Sequence, residues 1–271
     1  MKIFFTKFLA FLSKDIKIAF TYKFNILIQI LSILFFLALL FLSLIDSSDS
    51  LSQNDIQNKH ASFFKILIGL ALIDFMFSSM SVFSREIRFA QTYGTFEALI
   101  LTNTSILTIL LSSYALTFSR SIFRIIIYIL LGRFIFGLDI SYGDIPIFLT
   151  LVVYSSLPFI GIGLFAASFI ILFKVGNIIN FLVGIGSIFF SGIFFSLESL
   201  PPFFGDMYSK LPLTIGLSIT EQVLLGDMLF KEIYFDLLKI LYLAVAFVPS
   251  GIFLVYYSLR VAKKNGSLNH Y

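Results

Sequence analysis

Residues 147–173, IFLTLVVYSSLPFIGIGLFAASFIILF, run without a single Asp, Glu, Lys or Arg. At about 1.5 Å of rise per residue they make a helix of about 40 Å, more than the roughly 30 Å of hydrocarbon in a bilayer. The solvent such a stretch requires is lipid. Working outward from it, the same apolar character returns at 24–45, 61–83, 106–137, 177–196 and 233–258, which predicts an all-α membrane protein with six transmembrane helices. These spans consume most of the chain and leave no connection long enough for a soluble domain, so residues 1–271 read as one membrane domain. Pro158 with Gly161 and Gly163, and Pro249 with Gly251, predict bends in two of the spans.

Composition agrees. Hydrophobic residues make up 59% and charged residues 13% of the chain, with a mean hydropathy of +1.01, whereas soluble domains carry about 25% charged residues. The charges sort by side. Segments 1–23, 84–105, 174–176 and 260–271 hold Lys2, Lys7, Lys14, Lys17, Lys23, Arg85, Arg88, Lys174, Arg260, Lys263 and Lys264 against only Asp15, Glu86 and Glu97. Segments 46–60, 138–146 and 197–232 hold Asp46, Asp49, Asp55, Asp139, Asp144, Glu198, Asp206, Glu221, Asp227 and Glu232 against only Lys59, Lys210 and Lys231. Lys and Arg in short loops stay cytoplasmic, so the pattern predicts a plasma (inner) membrane protein with both termini inside. The pI near 9.1 reflects anchoring to anionic membrane lipids rather than nucleic-acid binding. The lack of Cys excludes disulfides, thiolate metal sites and Cys nucleophiles.

The first residues are not a cleavable signal, since lysines interrupt them throughout. Phe5, Phe8, Leu9, Leu12, Ile16 and Ala19 recur at helical spacing with Lys7, Lys14 and Lys17 toward water, which predicts an interfacial helix over 1–23; a straight extension of the first span is the alternative.

Polar residues that interrupt the spans mark candidate sites. In 85–105, Thr95 stands ready to cap a short transverse helix, Gly94 to make the turn before it and Asn103 to end it. Leu99, Ile100 and Leu101 then offer apolar surface, either to a partner protein or to the headgroup region. The 106–137 stretch is too long for the bilayer and must tilt or project. Within it Arg120 and Arg124 share a helix face, where a charge facing lipid is costly. Asp74 in the 61–83 span is the available counter-charge, either as a structural ion pair or as the polar lining of a route. The small residues Gly176, Gly184, Gly186, Ser187, Ser191 and Gly192 permit close helix packing within the subunit or between subunits. Segment 197–232, broken by Pro201, Pro202, Gly205, Pro212, Gly216 and Gly226, predicts two short external re-entrant helices, near 203–211 and 214–225, which form either a lid or a surface loop.

No phosphate-binding G-x-x-x-x-G-K-[ST] loop and no G-x-S-x-G elbow is present. His60 and His270 lack carboxylates at metal-ligand spacing. No cofactor or metal site and no catalytic residue is therefore expected in this chain.

The run Gly94-Thr95-Phe96-Glu97-Ala98-Leu99-Ile100-Leu101-Thr102 resembles the G-T-[LF]-E-x-L-L-x-T cytoplasmic signature of the membrane-spanning permease subunits of ABC-2 type transporters. Phe136-Gly137, Leu200-Pro201, Leu211-Pro212-Leu213-Thr214, Gly226 and the tail Asn265-Gly266-Ser267-Leu268 are similar to further features of that family. Asn103 replaces a common Pro, and Phe89 and Ala90 stand where many members carry an acidic residue or glycine. The resemblance implies an exporter subunit without ATPase activity of its own, working with a second permease copy or a homologous permease. It also implies a separate ATPase subunit that binds ATP and Mg²⁺ and docks on Gly94, Thr95, Glu97, Leu99, Leu101 and Thr102. Leu200, Pro201 and Pro212 fall in the external lid it implies. The rival readings are an ion-coupled carrier using Asp74 and the arginines, and a non-transport scaffold that recruits a cytosolic partner through 85–105.

Overall fold

The computed structural model describes residues 8–10, 13, 17, 23–46, 53–102, 104–138, 141, 143–174, 178–193, 210–224 and 233–265. Their regular structure is helical throughout. The helices are α1 (Lys23–Asp46), α2 (Gln53–Thr92), α3 (Phe96–Leu101), α4 (Ile106–Phe134), α5 (Asp144–Phe173), α6 (Ile178–Phe189), α7 (Pro212–Leu224) and α8 (Tyr234–Lys264). Among the described residues, four stretches are long and apolar enough to cross a membrane: Ser62–Thr92 within α2, and α4, α5 and α8. Ile28–Leu42 within α1 and Ile178–Phe189 are shorter apolar stretches. Of the interfacial helix expected over 1–23, only 8–10, 13 and 17 are described before α1 begins, and they are helical.

Several boundaries differ from the sequence expectation. α2 has 40 residues, running past the expected span 61–83 at both ends, because no Pro or Gly interrupts its polar flanks and a helix that leaves the hydrocarbon can continue in water. Conversely, α6 has only 12 residues, about 18 Å of helix where 177–196 was expected to span. It is followed by a turn at Phe190 and by Gly192 at φ +77°, a backbone conformation that glycine adopts without steric cost.

The center of the molecule is α2 packed between α4 and α5, with α8 on the far side of α5. Phe63, Leu67, Ile68, Phe75, Ile125, Val152, Phe159 and Leu213 are buried in one cluster joining α2, α4, α5 and α7. Phe83, Ile87, Phe96, Leu110, Ile170, Val255 and Leu259 form a second toward the α3 end. The rings of Phe41, Phe63 and Phe136 meet at centroid distances of 5.0 to 5.1 Å, and so tie α1 to α2 and to the turn that follows α4. α1 contributes a narrow stripe, Ile33 and Leu37, while Phe24, Leu31, Phe35 and Leu42 are exposed.

Pro158 and Pro249 lie inside α5 and α8, each of which runs through its proline as one helix. The glycines near them act by size. A Cβ on Gly163 would stand 2.6 Å from the Met80 carbonyl oxygen, and one on Gly251 2.9 Å from that of Gly161. Any larger side chain would push α5 away from α2 or from α8, which is the close-approach role small residues play between membrane helices.

Candidate functional site

Two places collect the residues singled out above. The first is the turn from α2 into α3. Gly94 has φ +67°, which lets the Thr95 N–H reach back 2.9 Å to the Ala90 carbonyl and close α2 with a left-handed cap. The Thr95 hydroxyl donates to the same carbonyl at 3.3 Å and makes no cap bond to α3. This corrects the expected capping role: Thr95 finishes the preceding helix because its backbone is already helical, at φ −89° and ψ −7°, rather than in the extended form an N-cap needs. At the other end Thr102 is extended, and its hydroxyl donates to the Leu99 carbonyl at 2.7 Å. Asn103, expected to end the helix, lies outside the described residues.

α3 is held by Phe96, which is 2% exposed and sits among Phe83, Ile87 and Ile170. Leu99 and Ile100 pack partly on the same cluster, so they are not the free apolar face the sequence suggested. Leu101 is, at 78% exposed. Ahead of the Gly94 turn, Phe89 and Tyr93 are also exposed and in ring contact at 4.3 Å. That aromatic pair went unnoticed in the sequence, although its spacing of four residues at a helix end was the available signal. Glu97 is half-buried in the same element.

The second place lies between α2 and α4. Arg124 Nε donates to Asp74 Oδ2 at 2.7 Å, and its Nη2 donates to Ser78 Oγ at 2.6 Å and to Ser121 Oγ at 3.0 Å. Asp74 and Ser78 are four apart on α2, and Ser121 and Arg124 three apart on α4, so each pair shares a face of its own helix. Together they surround one guanidinium. The side chains are 27% and 18% exposed for Asp74 and Arg124. The ion pair with Asp74 is thus made by Arg124, while Arg120, a turn toward α3, is exposed. The serines had no place in the expectation; the Asp74-to-Ser78 spacing carried the signal.

Pro212 is the buried first residue of α7, a position where its missing N–H costs nothing. Leu200 and Pro201 lie outside the described residues, as does 203–209 of the first expected external helix. The second expected helix, 214–225, corresponds to α7. α7 buries Leu213, Ile215, Leu217 and Ile219 against its neighbors, and its Thr214 hydroxyl donates to the Phe190 carbonyl at 3.0 Å. Lys65 on α2 reaches Glu221 on α7 at 3.3 Å. Burial pushes the Glu221 carboxyl above the ordinary carboxylate range, and Lys65 pulls it the other way. Among the described residues no three His, Cys, Asp or Glu side chains gather as a metal site.

A family model described as ABC-2 type transporter matches residues 6–225. The chain belongs to the ABC-2 type transporter family. No curated protein matches it significantly. The match spans α1 through α7 and includes the Gly94–Thr102 run and the Asp74–Arg124 pair. This ABC-2 protein is thus a multi-pass membrane component of a transporter, built on long apolar helices with shorter ones between them.

Proposed function

We propose that this ABC-2 protein is the permease subunit of an ATP-driven exporter. It forms the substrate route with a second copy or a homologous permease, and a separate ATPase subunit supplies ATP and Mg²⁺. In this reading α1, α2, α4, α5, α6 with the residues after it, and α8 make six crossings. Both termini and α3 face the cytoplasm, and α7 is a re-entrant element entering from outside. The observation that carries the proposal is the build of α3: a short helix fixed to the core by Phe96, ending in the exposed Leu101 and preceded in the chain by the exposed Phe89 and Tyr93. A push on its outer face is passed through Phe96 to α2, α5 and α8 at once. That is the mechanical requirement for coupling hydrolysis in one subunit to movement in another. The Asp74–Arg124 pair serves as a neutralized brace between α2 and α4.

Charge reversal at the docking face tests the coupling. Glu97→Lys is expected to weaken ATPase docking or to leave hydrolysis running without transport, since a reversed charge sets like against like across an interface. Wild-type assembly with wild-type coupled transport in that variant removes Glu97 from the interface.

A further inference from the structure

Between α3, the start of α4 and the last turns of α8 lies a cavity of about 390 Å³ whose lining includes Thr104, Ile106, Ile109, Tyr256, Arg260 and Lys263. Tyr256, Arg260 and Lys263 follow one another at spacings of four and three, and so line one face of α8. Arg260 and Lys263 are exposed, and among the described residues neither forms an ion pair. The same lining carries apolar side chains: Leu99 and Ile100 of α3, part-exposed, and Ile106 and Ile109 of α4, at 9% and 2% exposure. The cavity therefore combines two exposed cations with an apolar wall and a tyrosine ring, the kind of side chain that gathers at membrane interfaces.

We infer that this cavity holds the headgroup of an anionic phospholipid, its phosphate between Arg260 and Lys263 and the first part of an acyl chain along the part-exposed Leu99 and Ile100. An acidic peptide would satisfy the cations but gain little from the apolar part of the lining. A lipid uses both halves. Basic pockets between helices at the cytoplasmic side are where such headgroups bind. Only the choice of leaflet depends on the topology proposed above.

The test is native mass spectrometry of the detergent-purified protein titrated with phosphatidylglycerol, and separately with phosphatidylcholine and inorganic phosphate. In detergent there is no leaflet, so the result does not depend on orientation, which cysteine labeling reads separately. Phosphatidylglycerol is expected to bind in preference to phosphatidylcholine, and inorganic phosphate not to displace it. At about fivefold in affinity per basic side chain, the double variant Arg260→Gln/Lys263→Gln should lose about thirtyfold. Lys264→Gln, which removes a neighboring charge at the same helix end, should retain binding. The swap Arg260→Lys/Lys263→Arg keeps both charges and should bind, whereas Thr104→Trp fills the cavity with the charges intact and should not. Each variant is first matched to wild type in thermal melting. Equal binding of the two lipids, equal loss in Lys264→Gln, full binding in the double glutamine variant, or displacement by inorganic phosphate at comparable concentration would each overturn the lipid site.

Discussion

Asp74 illustrates how a single charge is made tolerable at membrane depth. A lone carboxylate there would draw in water or take up a proton, and a lone guanidinium would snorkel toward a headgroup. Here Arg124 meets Asp74 at 2.7 Å while Ser78 and Ser121 accept from its Nη2, so much of the donor fork is used. Breaking such a pair from one side strands the other charge and costs more than the pair itself contributes. Asp74→Asn and Arg124→Gln should each lower thermal stability, yet together lower it by less than their sum, with a coupling of about 1–3 kcal/mol. The same cycle with Arg120→Gln should be additive. Additivity in both cycles, read from melting in detergent, would show that the pair does not act as a unit.

At the scale of elements, long apolar runs were readable because lipid imposes length and composition together. The 147–173 stretch became α5 within three residues at its start and none at its end. Helix ends were harder to read. Nothing in a sequence marks where hydrocarbon stops if the helix continues into water, so the reach of α2 to Thr92 was hidden, while the brevity of α6 depends on a glycine turn that looks like ordinary helix packing. The turn at Gly94 was legible from residue type, but the role of Thr95 was not, since it depends on backbone angles rather than on side-chain chemistry. Which arginine meets Asp74 needed the register of α2 against α4, which no single-helix pattern contains. α7 shows what burial adds. Its Glu221 has an oxygen, Oε1, that is buried without a hydrogen-bond partner, in keeping with the raised pKa. A carboxyl whose folded pKa lies above its ordinary 4.5 holds its proton more tightly folded than unfolded, so its contribution is full below 4.5 and is lost as pH rises through the folded value. Wild type should therefore lose stability relative to Glu221→Gln as pH is raised from about 4.5 toward neutrality, measured as the difference between their melting temperatures. A difference that is flat with pH, or that grows in the opposite sense, would contradict this account of α7. Topology belongs to the same scale. Cysteines introduced at Ser50 and Ser209 should react with a membrane-impermeant reagent in intact cells, and those at Gln91 and Ser267 should stay protected; the reverse pattern would invert the orientation.

For the whole molecule, Asp74–Arg124 joins α2 to α4, while the close approaches at Gly163 and Gly251 hold α5 against α2 and α8; in the function proposed above, α3 is the handle by which this packed unit is moved. Exposed apolar surface remains on α1, on α6 at Phe181, Leu182 and Ile185, and on α8 at Tyr242, Val245 and Phe253, as a multi-pass protein that meets lipid requires. The central claim is that the handle is pulled by another polypeptide. Its most direct test is purification of the tagged chain from its native membrane in mild detergent, with identification of what accompanies it. The account predicts a stoichiometric nucleotide-binding polypeptide carrying a G-x-x-x-x-G-K-[ST] loop, lost from the complex by Leu101→Asp while the permease itself stays folded. A monodisperse, transport-competent chain with no such partner, or a partner indifferent to Leu101→Asp, would contradict it.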